Sequence, residues 1–172
     1  MQDLKIPKER VGVLVGKNGD IKKLIQRSTN TKLFIDKEGD VIIQGEGVGV
    51  YDANLVVKAI GRGFNPSIAL NLLKDDFSLE IINIKDFTGK SERKFTRIKA
   101  RLIGRSGGAR TVLEKLTNTD ISIYGKTVSI IGNVENVGVA RQGVETLLRG
   151  APHNNAYKYV EREIGKLNEF KH

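Results

Sequence analysis

Ile103-Gly104-Arg105-Ser106-Gly107-Gly108-Ala109-Arg110 is the stretch on which the reading of this 172-residue chain turns. Gly104-Arg105-Ser106-Gly107 is a GxxG tetrapeptide. A basic, helix-compatible segment leads into it, and an amphipathic segment from Gly108 to Leu116 follows. Glycines at both ends let the backbone turn sharply and lie close to a ligand, since no Cβ stands in the way. The amides that open the next helix point at that ligand, and the helix dipole favours an anion there. A phosphodiester backbone suits such a place. A single GxxG is weak evidence, because plain tight turns between helices contain it too.

The tetrapeptide has a second copy in Gly16-Lys17-Asn18-Gly19. A shift of 88 positions, Gly16 onto Gly104, brings the flanking sequence into register. Leu24-Ile25 falls on Val112-Leu113, Thr29-Asn30-Thr31 on the identical Thr117-Asn118-Thr119, and Leu33 and Ile35 on Ile121 and Ile123. One deleted turn residue changes the shift to 87, Gly45 onto Gly132, and this holds through Arg62-Gly63 and Arg149-Gly150. The chain is a tandem duplication with a GxxG at the same place in each half. A coincidence of turns would not keep the apolar pattern around them.

Hydrophobic spacing gives each half the same order of elements. Leu4 and Ile6 alternate with Lys5 as a short strand closed by Pro7, and a helical turn from Arg10 to Val15 leads into the first GxxG. A helix over 20–28 places Ile21, Leu24 and Ile25 on one face. Strands over 31–36 and 41–44 flank a hairpin loop at Lys37 to Asp40, and a helix over 48–63 ends at Gly63. Asn65-Pro66 caps a short linking helix to Leu73. The second half repeats the order: a strand from Phe77 to about Lys85, a helix capped by Ser91 running to Ile103 with Phe95, Ile98 and Leu102 buried, the GxxG, and its helix. Two strands joined at Gly125-Lys126 and a helix over 134–149 complete it. A further helix from Pro152 to about Phe170, with Tyr157, Val160, Ile164 and Leu167 as its stripe, lies outside the repeat; packing on the second half is its ordinary use.

This order resembles the type I KH domain: strand, helix, GxxG, helix, strand, strand, helix. The fold class expected is α+β, two tandem type I KH domains, each a three-stranded sheet with helices packed on one face, plus a C-terminal helix. The divisions expected are 1–63 for the first domain, 64–76 for a linker with a short helix, 77–150 for the second domain, and 151–172 for the C-terminal helix. In that family the GxxG clamps the backbone of a single strand of about four nucleotides.

Composition agrees with a polyanion partner. Lysine and arginine number 29 against 20 acids, a net charge of +9, with a pI near 9.8. The absence of cysteine excludes disulfides and thiolate metal sites. The only histidines are His153, read as lying in a turn, and His172, the last residue, so no metal and no cofactor is expected. No apolar run approaches membrane-spanning length and no signal peptide is visible, so a cytoplasmic protein with no membrane partner is expected. High lysine, arginine and glutamate with a single methionine also suit a thermophile.

The second copy has the stronger positive field. Between Lys90 and Arg110 stand eight lysines or arginines and one acid, Glu92. Arg93, Arg97 and Arg101 recur every fourth residue and share one helix face, and Arg105 and Arg110 lie beyond it. A solvated charged face is the usual use of such a stripe; its direction toward a GxxG favours phosphate binding. The first copy offers Lys17, Lys22, Lys23 and Arg27 among more acids. The RNA-contacting set is therefore Gly16, Lys17, Asn18, Gly19, Lys22, Arg93, Arg97, Arg101, Gly104, Arg105, Ser106, Gly107, Gly108 and Arg110. By resemblance, bases lie over an apolar groove formed by Ile21, Leu24 and Leu33 in the first half, and by Ala109, Val112 and Ile121 in the second, positions that a core would also claim.

Gly12 to Asn18 is a near miss to GxxxxGK[ST]. It is one residue short, Asn18 replaces the magnesium-binding hydroxyl, and the other half lacks the pattern. No triad and no carboxylate pair at useful spacing stands out, so no enzyme activity is expected. Two such domains, a long basic helix before the second GxxG and a helical tail resemble the archaeal branch of the KH-domain pre-ribosomal-RNA processing proteins of small-subunit assembly. The resemblance implies binding of single-stranded RNA at the 3′ region of small-subunit rRNA. It also implies association with the dimethyladenosine transferase and the nuclease that mature it. Eukaryotic members often have a degenerate first GxxG; this chain keeps both. A generic tandem-KH accessory subunit for RNA or single-stranded DNA, exosome- or transcription-related, and a protein-binding adaptor are the alternatives. Flat salt dependence of RNA binding would favour the adaptor.

Overall fold

A computed structural model describes residues 1–171, and the chain divides by its contacts into two compact units, Met1–Asp75 and the remainder from Asp76. The first unit runs β1 (Gln2–Lys5), a 3-10 turn (Lys8–Arg10), α1 (Val11–Val15), the glycine loop, α2 (Asp20–Thr29), β2 (Lys32–Ile35), β3 (Asp40–Gln44), α3 (Gly47–Gly61) and α4 (Pro66–Ala69). The second runs β4 (Phe77–Asn83), α5 (Lys85–Thr88), α6 (Glu92–Ile103), the glycine loop, α7 (Gly108–Thr117), β5 (Asp120–Tyr124), β6 (Thr127–Asn133), α8 (Val134–Leu148) and α9 (His153–Glu169). This is the α+β order expected of type I KH domains.

Each unit holds a three-stranded antiparallel sheet whose last strand is central: β1-β3-β2 in the first and β4-β6-β5 in the second. The period-two pattern decides which face is covered. In β2 and β3, Leu33, Val41 and Ile43 are buried while their neighbours Phe34 and Ile42 face out. Leu14 and Ile25 of the two short helices are also fully buried. In the second unit Ile98 and Leu102 of α6 and Leu113 of α7 close on Val128 and Ile130 of β6, and α8 and α9 add Val144, Leu147, Ala156 and Val160 to one cluster. The C-terminal helix is thus part of that unit's core.

The repeated Thr-Asn-Thr has a structural reason. Thr29 and Thr117 each end a helix, and their hydroxyls donate to Ile25 O and Leu113 O, both at 2.7 Å. The same hydroxyls meet those of Thr31 and Thr119 at 2.8 and 2.7 Å. Asn30 and Asn118 between them take the left-handed conformation, φ 54° and 53°, which asparagine tolerates and which reverses the chain from helix to strand.

Three details differ from the sequence expectation. The strand expected to about Lys85 stops at Asn83, whose Oδ1 accepts from Lys85 N at 3.0 Å and opens the short α5. The linking helix expected over 66–73 is one α-helical turn, capped by Asn65 Oδ1, that tightens into a 3-10 turn at Leu70–Leu73. Ala69 and Leu72 there are buried, so this segment packs as part of the first unit rather than standing free. The Gly125-Lys126 turn is as expected, with Tyr124 paired to Thr127.

Candidate nucleic-acid interface

The two glycine loops are nearly the same object. Gly16, Asn18 and Gly19 have φ of 76°, 55° and 74°; Gly104, Ser106 and Gly107 have 77°, 54° and 76°. Three positive φ values among four residues fold the chain back at the mouth of the following helix. The first glycine is needed for packing as well as for φ. A Cβ on Gly104 would come within 2.4 Å of Ala109 N, and one on Gly16 within 2.1 Å of Asp20 Oδ1. Gly107 would meet nothing, so its lack of a side chain leaves open surface in front of α7. The middle residues Lys17, Asn18, Arg105 and Ser106 are exposed. Among the described residues neither Lys17 nor Arg105 has an acidic partner within salt-bridge distance.

The helix mouths differ. Asp20, the first residue of α2, turns its carboxylate onto its own helix end, where Oδ1 accepts from Ile21 N at 2.8 Å. The residue in that place in the second unit is Gly108. In the first unit a carboxylate lies against an amide of the opening turn of α2; in the second the corresponding residue has no side chain. The number of acids in the first half does not by itself show that this one carboxylate sits at the helix end.

Beside each loop runs an edge strand whose outer amides meet side chains of the adjoining helix. Gln26 Oε1 accepts from Leu33 N, and Glu114 Oε2 accepts from Ile121 N, both at 2.9 Å. Glu114 also holds Arg110, which donates to Oε1 at 2.8 Å and to Ile121 O at 3.4 Å. Arg110 is therefore tied down beside the strand, while Lys22 in the matching place lines a shallow depression with Phe34 and Ile42. Of the expected groove residues, Leu33, Ala109 and Ile121 are buried, Ile21 and Val112 are half-buried, and Leu24 is exposed.

The arginine stripe of α6 divides. Arg101 is spent on the end of α8, donating to Leu147 O at 3.2 Å and to Ala151 O at 2.6 Å. Arg93 and Arg97 are exposed and have no acidic partner among the described residues. Lys99, on the opposite side of the helix, donates to Gly125 O at 2.7 Å and ties α6 to the β5–β6 turn. Glu92, the one acid of the basic segment, is engaged by Lys85 at 2.5 Å, and that hydrogen bond holds its carboxyl below the usual range. His153 is the first residue of α9 rather than part of a turn, and its Nε2 lies 2.9 Å from Arg101 O. His172 lies outside the described residues. Among the described residues no cluster of side chains is suited to a metal ion, and no helix is long and apolar enough to cross a membrane.

Comparison with known proteins returns matches over both units. Residues 78–164 match the family described as the eukaryotic type KH domain (type I), and residues 1–59 match the KH domain. A KH domain-containing protein of Methanocaldococcus jannaschii is 47% identical over 169 residues, covering 95% of this chain and 74% of that protein. The pre-rRNA-processing protein PNO1 of Coccidioides immitis is 25% identical over 114 residues, 66% of this chain and 45% of that longer protein. Among solved structures, the Dim2p chain in a complex of a/eIF2alpha, aDim2p and rRNA from Pyrococcus horikoshii superimposes with a TM-score of 0.86 at 42% identity. That match covers 94% of this chain and 92% of the other.

Proposed function

Because the chain belongs to the type I KH-domain family, in the branch of the pre-rRNA-processing proteins, we propose that it binds single-stranded RNA of the small ribosomal subunit near its 3′ end, as an assembly factor rather than an enzyme. The glycine loops are the clamps. A strand laid across Gly104–Gly107 has its phosphate at the mouth of α7, against backbone amides and the Arg105 guanidinium, with bases turned toward β5. The second loop carries most of the affinity and the first binds an extension of the same strand. The dimethyladenosine transferase and the nuclease of 3′-end maturation are the proposed protein partners, and the cytoplasm the place of action.

The observation that carries this reading is the duplicated left-handed backbone of the two loops, with exposed cations at Lys17 and Arg105. The relatives support it: the P. horikoshii neighbour was crystallised with rRNA. Crosslinking the protein to RNA in cells and sequencing the bound fragments tests it. Reads concentrated at the 3′ end of small-subunit rRNA are expected; reads spread over messenger RNA would favour a generic RNA-binding role.

A further inference from the structure

Between α6 and the corner where α8 gives way to α9 lies a cavity of about 630 Å³, lined by Lys94, Arg97, Arg101 and Arg149 over a floor that includes Phe87 and Pro152. No acid lines it. Arg101 is fixed by the carbonyls of Leu147 and Ala151, and it neutralises the negative end of the α8 dipole. Arg149 rests on the Phe87 ring, 5.4 Å from its centroid, and meets Glu145 only at 3.5 Å. Lys94 and Arg97 have no acidic partner among the described residues. Two of four gathered cations thus exceed what the fold consumes, and like charges crowded around an open cavity repel unless an anion enters.

The cavity is separate from the glycine-loop groove. Lys99, tied to the β5–β6 turn, is two residues from Arg97, about 200° around the helix, so the two sites lie on opposite flanks of α6. It is also peculiar to the second unit. The 88-position shift places Ile6 and Glu9 where Lys94 and Arg97 stand, and the first unit has a 3-10 turn and the five-residue α1 in place of α6.

We propose that this cavity is a second RNA site, which holds a phosphate of the strand beyond the nucleotides clamped at Gly104–Gly107. The inference rests on the RNA reading above. Arg97 stands seven residues before Gly104, about 10 Å along the helix, a span that a few nucleotides bridge. The guanidinium of Arg97 can grip a phosphate with two parallel hydrogen bonds, and the Phe87–Pro152 floor gives a sugar or base apolar surface. An acidic protein segment would use the same cations. Arginine beside an aromatic floor and a nearby phosphodiester clamp on the same helix favour RNA.

The test is the double variant Lys94→Gln/Arg97→Gln in the full chain, with Arg101 left in place because it holds α8. Binding is measured for a single-stranded rRNA-derived oligonucleotide of about four nucleotides and for one of about twelve. The variant should melt like the parent and lose much less affinity for the short oligonucleotide than for the long one. It should bind the long one about tenfold more weakly, with a salt slope reduced by about 0.7, one phosphate contact's worth. Unchanged affinity and slope for the long oligonucleotide overturn the site. Equal losses on both also overturn it, because the cations would then act only through the general field. If a polyglutamate peptide binds the parent and not the variant while RNA binding stays unchanged, the cavity serves an acidic protein and the proposal fails. If the parent binds neither oligonucleotide, the RNA reading itself is wrong.

Discussion

Asp20 and Gly108 occupy the same place in the two halves of the duplication, the first residue of the helix behind each glycine loop, and only Asp20 brings a carboxylate to it. The two loops share a backbone; they do not share a charge at the point where an anion would dock. Asp20→Ala should therefore raise the affinity of the first loop for a short single strand, and Gly108→Asp should lower that of the second by about tenfold, or 1.4 kcal/mol. Gly108 has φ −62°, so aspartate is tolerated there, and an acid at a helix N-terminus does not lower the melting temperature. Equal RNA affinity in parent and Gly108→Asp, measured by fluorescence anisotropy, would remove the helix mouth from the account.

The glycines of one loop are not equivalent. Gly104→Ala meets both a positive φ and a backbone nitrogen at 2.4 Å, and should cost about 3 kcal/mol or more. Gly107→Ala meets the φ cost alone, about 1–2 kcal/mol. Urea unfolding of the two variants checks the order; a larger loss for Gly107→Ala would mean that the open surface before α7 is misplaced.

Thr117→Val keeps the shape of a fully buried side chain but deletes its hydroxyl, leaving that of Thr119 without this partner. A cost of about 1–3 kcal/mol follows, with Thr117→Ser nearer the parent. Equal stability of all three proteins in thermal melts would mean that the repeated tripeptide is not held by its hydroxyl pair.

Burial pushes the Asp120 carboxyl above its ordinary value of 3.8, with no hydrogen bond offsetting it. The folded state therefore favours the neutral acid more than the unfolded chain does. Its cost is absent below the unfolded pKa and fully present above the raised folded one. Asp120→Asn should raise the melting temperature at pH 7 and leave it near the parent's at about pH 3. A gain that is the same at both values would assign the effect to something other than charge.

The duplication made the fold legible, because the 88-position register carries the apolar pattern and the Thr-Asn-Thr turns along with the loops. Periodicity showed that Arg93, Arg97 and Arg101 share a face but not which neighbour that face meets. Helical spacing fixes an angle only relative to the same helix. The structure turns Arg101 into the end of α8 and leaves Arg97 at a cavity built from residues some fifty positions away. The short α5 has no apolar stripe to mark it in the sequence, because a side chain, Asn83, starts it. Asp20 was legible in principle, since laying one half on the other sets it opposite Gly108, but its meaning needed the carboxylate's placement on the helix end.

The central claim, that a strand of RNA is clamped chiefly by the second glycine loop, is tested most directly by two loop variants. One carries Arg105→Asp and Ser106→Asp, the other Lys17→Asp and Asn18→Asp. All four residues are exposed, so both proteins should fold, which circular dichroism and melting would verify. Affinity for an oligonucleotide from the 3′ end of small-subunit rRNA is then measured at one salt concentration. The Arg105/Ser106 variant is predicted to lose most of the binding, on the order of 1–3 kcal/mol or more, and the Lys17/Asn18 variant less. A folded Arg105/Ser106 variant that binds like the parent, or a Lys17/Asn18 variant that is the more damaged, would contradict it.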